Sequence, residues 1–160
     1  MKAWIVHDSK FGNGKSLGEA MMRVLSEKME VEIGHVKSTS PRRVARDKPD
    51  LLIVGTAVRM FSTSFASKSW IRRLKRQLRK EHYVIPLGAV FLTHIMKKAR
   101  VHFWGRRFHK ILDRGIAISE VYPEWLSGRV KEAEGPLYEG TIENFTHIAH
   151  QILKNTSKST

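Results

Sequence analysis

Asp8-Ser9-Lys10-Phe11-Gly12-Asn13-Gly14-Lys15-Ser16 is a loop held between two unlike segments. Before it, Ala3-Trp4-Ile5-Val6 is an apolar run with the length of a buried strand. After it, Leu17-Gly18-Glu19-Ala20-Met21-Met22-Arg23-Val24-Leu25 spaces its apolar residues as a helix does. A strand feeding a helix through a turn rich in glycine and hydroxyl groups is a cradle for phosphate. Gly12 and Gly14 permit left-handed backbone and close approach of a ligand. The first N–H groups of the helix lack intrahelical partners, and its dipole favours an anion there. Ser9, Asn13 and Ser16 add neutral hydrogen-bonding groups.

Three phosphate-binding templates compete for this loop. Gly14-Lys15-Ser16 matches the end of a Walker A loop, but Ser9 stands where its first glycine belongs. Leu51-Leu52-Ile53-Val54 also runs into Gly55-Thr56 rather than a magnesium-binding Asp. Gly12 and Gly14 match the dinucleotide pattern G-x-G-x-x-G, but Leu17 takes the third glycine's place. Ser9-Lys10-Phe11-Gly12-Asn13-Gly14 resembles the flavodoxin phosphate loop, [ST]-x-[TY]-G-N-[TG], at the right place after the first strand. A plain strand–helix turn with no ligand is the fourth possibility.

The 160 residues suit one domain, expected over 1–154, with a disordered tail over 155–160. No cysteine is present, which excludes a disulfide framework, a thiol nucleophile and a thiolate metal site. The chain enters a strand at once and shows no signal-peptide or membrane-spanning stretch, so a soluble cytoplasmic protein is expected. Lys and Arg number 29 against 15 Asp and Glu, for a net charge of +14. The excess gathers in two segments, Arg72–Lys80 and Lys97–Lys110, while Glu120–Glu143 is acidic. A one-sided basic field attracts acidic partners, nucleic acid or anionic membranes, although a merely solvated basic face is the commoner case.

Periodicity predicts strands over Lys2–His7, Val31–Val36, Asp50–Gly55, Val84–Leu92 and Ile116–Val121. Helices are predicted over Lys15–Lys28, Phe65–Arg79, Ala99–Arg114 and Thr141–Lys154. Pro41–Pro49 reads as a basic turn or a short helix, and Tyr122–Gly140 as a long loop. This alternation implies an α/β three-layer sandwich around a five-stranded parallel sheet of order 2-1-3-4-5. Ligands of such sheets sit at the carboxyl ends of the strands, where Asp8–Ser16, Thr56–Ser64 and Thr93–Lys98 must converge.

The loop, the segment Asp50-Leu51-Leu52-Ile53-Val54-Gly55-Thr56-Ala57-Val58-Arg59 and the segment Glu134-Gly135-Pro136-Leu137-Tyr138-Glu139-Gly140 together resemble a short-chain flavodoxin-like domain. The resemblance implies FMN, held without a covalent link, in electron transfer or flavin-dependent oxidoreduction. Its phosphate would lie on Ser9, Lys10, Phe11, Gly12, Asn13 and Gly14. Thr56, Ala57, Val58, Arg59, Met60 and Phe61 would flank the isoalloxazine, and Thr93, His94, Ile95 and Met96 would close the other side. Two departures stand out: Gly14 replaces the usual threonine, and the chain is basic where ordinary flavodoxins are acidic. An acidic redox partner is therefore expected, or a small-molecule or quinone acceptor.

Val54-Gly55-Thr56-Ala57-Val58-Arg59-Met60-Phe61 is similar, more distantly, to quinone-dependent protoporphyrinogen oxidases, which implies an anionic tetrapyrrole or an anionic membrane surface as partner. A flavin-free basic module for nucleic acid or an acidic protein is the other alternative, nucleic acid being the less expected of these partners.

No acid–base pair or nucleophile is evident, so no catalytic residue is named. Arg59 is a candidate for the flavin edge or an acidic substrate, and His94 for a proton donor or a solvent-exposed loop residue. His102 and His109 stand seven apart, wrong for a metal pair. Trp70 and Phe65 are expected in the core, with Phe103 and Ile111 facing inward and Trp104 outward. Trp125 would either cover a cofactor edge or pin its loop.

Overall fold

The structure, a computed structural model, describes residues 1–156. Strand β1 (Lys2–His7) is buried along nearly its whole length, as its unbroken apolar run requires. It pairs in parallel with β2 (Glu30–His35) on one side and β3 (Leu51–Arg59) on the other. Strand β5 (Ile85–His94) lies beyond β3, with Gly55 opposite Phe91 and Ala57 opposite Thr93. Helices α1 (Asn13–Leu25), α2 (Pro41–Asp47), α3 (Phe65–Lys80), α4 (Lys98–Asp113) and α5 (Thr141–Thr156) cover the sheet.

The expected five-stranded order 2-1-3-4-5 needs correction. The sheet has seven strands, and its path is β2-β1-β3-β5-β6, where β6 is Ile118–Val121. Strand β4 (Ser62–Thr63) is a two-residue antiparallel return on the end of β3. Strand β7 (Leu126–Arg129) lies in parallel beside the second half of β5. Strands β6 and β7 thus share one edge of β5, facing Ile85–Gly88 and Phe91–His94 in turn. Tyr122–Trp125 breaks the edge between them, and Pro123 there has no N–H to give to a ladder. Strand β7 lay inside the segment expected to be loop, because four residues including Ser and Gly carry little strand signal.

Pro41–Pro49 is not a turn for most of its length. Ser40 precedes Pro41 at the first helical position, a favoured place for proline, and Val44 and Ala45 are buried. Helix α5 runs on through Asn155 and Thr156, and residues 157–160 of the expected tail lie outside the described part.

Two cores result. One face of the sheet packs under α2, α3 and α4 through Trp70, Leu74, Leu78, Val101, Phe108 and Leu112. The other packs under α1 and α5 through Leu17, Met21, Phe145 and Ile152. Both strongly basic helices therefore lie on one face, as right-handed crossovers demand. Lys75 of α3 ties them together by donating to the carbonyls of Ile111 and Arg114 at 2.6 Å each. Trp70 is buried, and its Nε1 donates to the Thr39 carbonyl at 2.7 Å. Phe65 is not in the core but 75% exposed, and Phe103 points outward while Trp104 and Ile111 pack inward. The α4 pattern was read one residue out of phase there, because two adjacent aromatics fit either face. Among the described residues no helix is long and apolar enough to cross a membrane.

Candidate functional site

The turn after β1 is built from the inside outward. Asp8 is buried, and its carboxylate accepts three hydrogen bonds: Thr56 Oγ1 at 2.8 Å, the Ala57 N–H at 2.9 Å and Ser67 Oγ at 3.0 Å. It thus pins the loop to the end of β3 and to the first turn of α3. Nothing in the sequence reading assigned Asp8 a role. The signal was a lone acid at the end of a buried strand, facing hydroxyl residues about 50 positions away.

Above Asp8, Ser9 Oγ accepts the Gly12 N–H at 3.0 Å. Gly12 caps α1 with φ of 92°, a left-handed conformation that disfavours any side chain. Its carbonyl accepts from both the N–H and the hydroxyl of Ser16, each at 2.9 Å. Ser16 is thus turned onto the helix rather than toward an incoming anion. The N–H groups of Asn13, Gly14 and Lys15 open the first helical turn, where no carbonyl lies one turn back. The segment between β7 and α5 reaches this turn too: a Cβ on Gly135 would lie 2.8 Å from Asn13 Oδ1.

Beside this helix start lies a cleft of about 300 Å³. Ser9, Lys10, Phe11, Asn13 and Gly14 form one end, and Ala57, Val58, Arg59 and Met60 one wall. Thr93, His94 and Ile95 face that wall, with Val130 and Ala133 beside them. Val130 and Ala133 escaped the sequence reading because the segment carrying them looked like featureless loop. Of the other anticipated residues, Gly12 lines a neighbouring hollow with His7, Lys15 and His35. Thr56 turns its hydroxyl inward to Asp8, Phe61 stands in solvent, and Met96 packs on the core. Among the described residues no acidic side chain lines the cleft, while Lys10 and Arg59 do. Its electrostatics therefore suit an anion at the helix end, and its walls an apolar slab.

Arg59 does not extend freely into the cleft, since its guanidinium donates to the Asp8 carbonyl at 3.1 Å. His94 is buried and held at both ring nitrogens, correcting the picture of an exposed loop histidine. Its Nδ1 donates to the Met96 carbonyl at 2.7 Å, and its Nε2 accepts from Ser127 Oγ at 2.8 Å. Burial pushes its pKa below the usual histidine value, so the neutral ring is favoured. It joins the end of β5 to β7. Trp125 is buried, donates to His102 Nδ1 at 3.2 Å and lies over Gly105, so it pins its own loop to α4. His109 Nε2 donates to the Tyr122 carbonyl at 2.8 Å on the same flank.

His7 gives the loop a pH dependence. Its Nδ1 accepts the Ser9 N–H at 3.1 Å. Burial, helped by the His35 ring 5.4 Å away, pushes its pKa from 6.5 down to about 4. The unfolded chain thus binds a proton between these values that the folded chain refuses. The stability supplied by neutral His7 is complete above pH 6.5 and is lost as the pH falls toward 4. His94 contributes in the same direction. The urea midpoint is expected to fall over this range. In His7→Asn, whose amide oxygen still accepts from Ser9, the fall should be shallower; an equal fall would remove His7 as its source.

No protein-family model and no curated protein matches the chain. Solved structures do. Over 97% of the chain and 99% of the other, it superposes on oxidised flavodoxin 2 from Bacillus cereus with a TM-score of 0.73 at 17% identity. The WrbA-like flavodoxin of Agrobacterium tumefaciens matches over 99% of both chains with a TM-score of 0.77 at 11% identity. The chain has the flavodoxin fold. It also matches, with a TM-score of 0.76 and 13% identity, part of the rubredoxin:oxygen oxidoreductase of Desulfovibrio gigas, spanning 36% of that protein's length. At such identities the flavodoxin fold is what is shared, and individual side chains are this chain's own.

Proposed function

We propose that the cleft binds FMN and that the protein acts in electron transfer or as a flavin-dependent oxidoreductase. One observation carries the proposal. The first turn of α1, with Asn13 and Gly14 and no side-chain cap, opens onto a cleft with apolar walls and no acidic lining. A single phosphate fits the first part and a planar tricyclic ring the second. When bound, FMN supplies the capacity to accept and release electrons singly or in pairs. The residues of this chain supply placement. Ser9 and Asp8 hold the loop's shape, and Ala57, Val58 and Ile95 would exclude water from the ring faces. A low-polarity wall disfavours added negative charge on such a ring and so sets its potential.

The fold's neighbours, flavodoxins among them, support a flavin in this cleft. Titration with FMN, FAD and NAD tests the proposal. FMN should bind most tightly, giving a yellow protein that absorbs at about 450 nm. Preference for FAD would overturn the assignment to a mononucleotide, and failure to bind any flavin would favour the flavin-free alternative.

Asn13→Asp places a carboxylate at the helix start beside the proposed phosphate. It should weaken FMN binding by about 1–3 kcal/mol, more strongly at low salt. Unchanged affinity at low salt would show that the phosphate lies elsewhere.

A further inference from the structure

At the carboxyl end of the sheet, beside the cleft but outside it, three phenylalanines stand in solvent. Phe61 is 73% exposed, Phe65 75% and Phe103 64%. Phe61 is at the tip of the β3–β4 return, where Met60 and Phe61 both take left-handed backbone, with φ of 48° and 60°. Phe65 opens α3, and Phe103 lies in the second turn of α4. These elements meet. Strand β4 contacts α4, and α3 lies alongside α4 with Lys75 bonded to Ile111 and Arg114. Both helices start at the same end of the sheet and run in the same direction. Lys68 lies near enough to Arg107 to feel its charge, and about one turn earlier on each helix stand Phe65 and Phe103.

On these two helices the phenylalanines share their faces with cations. Phe65, Lys68 and Arg72 follow one another at helical spacing on α3, and Arg100, Phe103 and Arg107 do so on α4. No acidic residue occurs in either helix before Asp113. The exposed phenylalanines thus form an apolar knob among cations, at the lip of the cleft that Met60 lines.

We propose that this knob is a docking surface for an anionic lipid bilayer. Exposed phenylalanines reach the acyl boundary, while long Lys and Arg side chains stay at headgroup depth. Each cation near an anionic surface adds to the attraction. Side chains this exposed would each need a shaped apolar socket inside an acidic rim on a protein partner; a bilayer supplies both without shape. The inference does not rest on the cofactor in the cleft, but it aims the cleft's mouth at the membrane surface.

Co-sedimentation of the full chain with vesicles tests it, using phosphatidylcholine alone and phosphatidylcholine mixed with phosphatidylglycerol. The protein should partition onto the mixed vesicles and not onto the neutral ones. Phe65→Ser with Phe103→Ser leaves the net charge unchanged and should weaken partitioning by about tenfold or more. Each single variant should lose part of that effect. Arg72→Glu with Arg107→Glu should weaken it comparably. Two results would overturn the proposal: no partitioning onto mixed vesicles, as for a surface that serves a soluble acidic protein, or equal partitioning of the double Phe variant. The second would mean that the diffuse +14 charge alone attracts the lipid.

Discussion

Asp8→Ala should destabilise the protein by about 3–5 kcal/mol and loosen two of the loops around the cleft, those after β1 and β3. The carboxylate is buried and takes hydrogen bonds from Thr56, Ala57 and Ser67, which belong to two other elements. Removing it leaves the Ala57 N–H without an acceptor in a dry site, and a backbone group cannot turn away to find another. The two hydroxyls are less constrained, and Thr56 Oγ1 already accepts the Ser64 N–H at 3.2 Å. Asp8→Asn should therefore cost less, about 1–2 kcal/mol. Its oxygen still accepts from Ala57, and its NH2 can donate to a hydroxyl that rotates to receive it. Urea unfolding of the wild type and both variants measures the order. An Ala variant as stable as the wild type, or an Asn variant worse than Ala, would show that Asp8 is not the tie between these loops.

The second large effect is expected at Gly55. It pairs with Phe91 across the central strands, and the Phe91 ring folds over it. A Cβ built on Gly55 would lie 2.1, 2.4 and 2.6 Å from three ring atoms. The ring has nowhere to go: Phe145 packs against it edge-on at 5.6 Å, and it also forms the floor beneath Gly14 of the β1–α1 loop. Gly55→Ala should cost about 2–3 kcal/mol through overpacking. Phe91→Leu alone should also destabilise, by about 1 kcal/mol or more for the cavity it leaves. Combined, the two should cost clearly less than their sum, because the smaller side chain makes room for the new methyl. Additive costs in the double variant would mean that Phe91 does not lie over Gly55. Since Phe91 supports Gly14, the Gly55 variant should also impair ligand binding in the cleft, and Phe91→Leu should restore part of it.

The sequence by itself determined the alternation of strands and helices and hence the layered α/β class. Those signals are local: a run such as Ala3–Val6 or Leu51–Val54 suits only a strand buried on both faces, and Leu17–Leu25 only a helix buried on one. It also located the glycine-rich turn that opens α1, because Gly12, Asn13 and Gly14 are adjacent in the chain and their conformational freedom needs no distant neighbour. Tertiary structure decided the rest, wherever a residue's role depends on partners far along the chain. Asp8 gains its function from groups 48 to 59 positions away. His94 became a buried strut only because β7 brings Ser127 to its ring. The edge of the sheet became two short strands rather than one because β5 is long enough to pair with both, and Leu126–Arg129 has too little strand propensity to announce itself. Phe65 and Phe103 have ordinary helical spacing, and only the packing of α3 beside α4 turned both of them outward together.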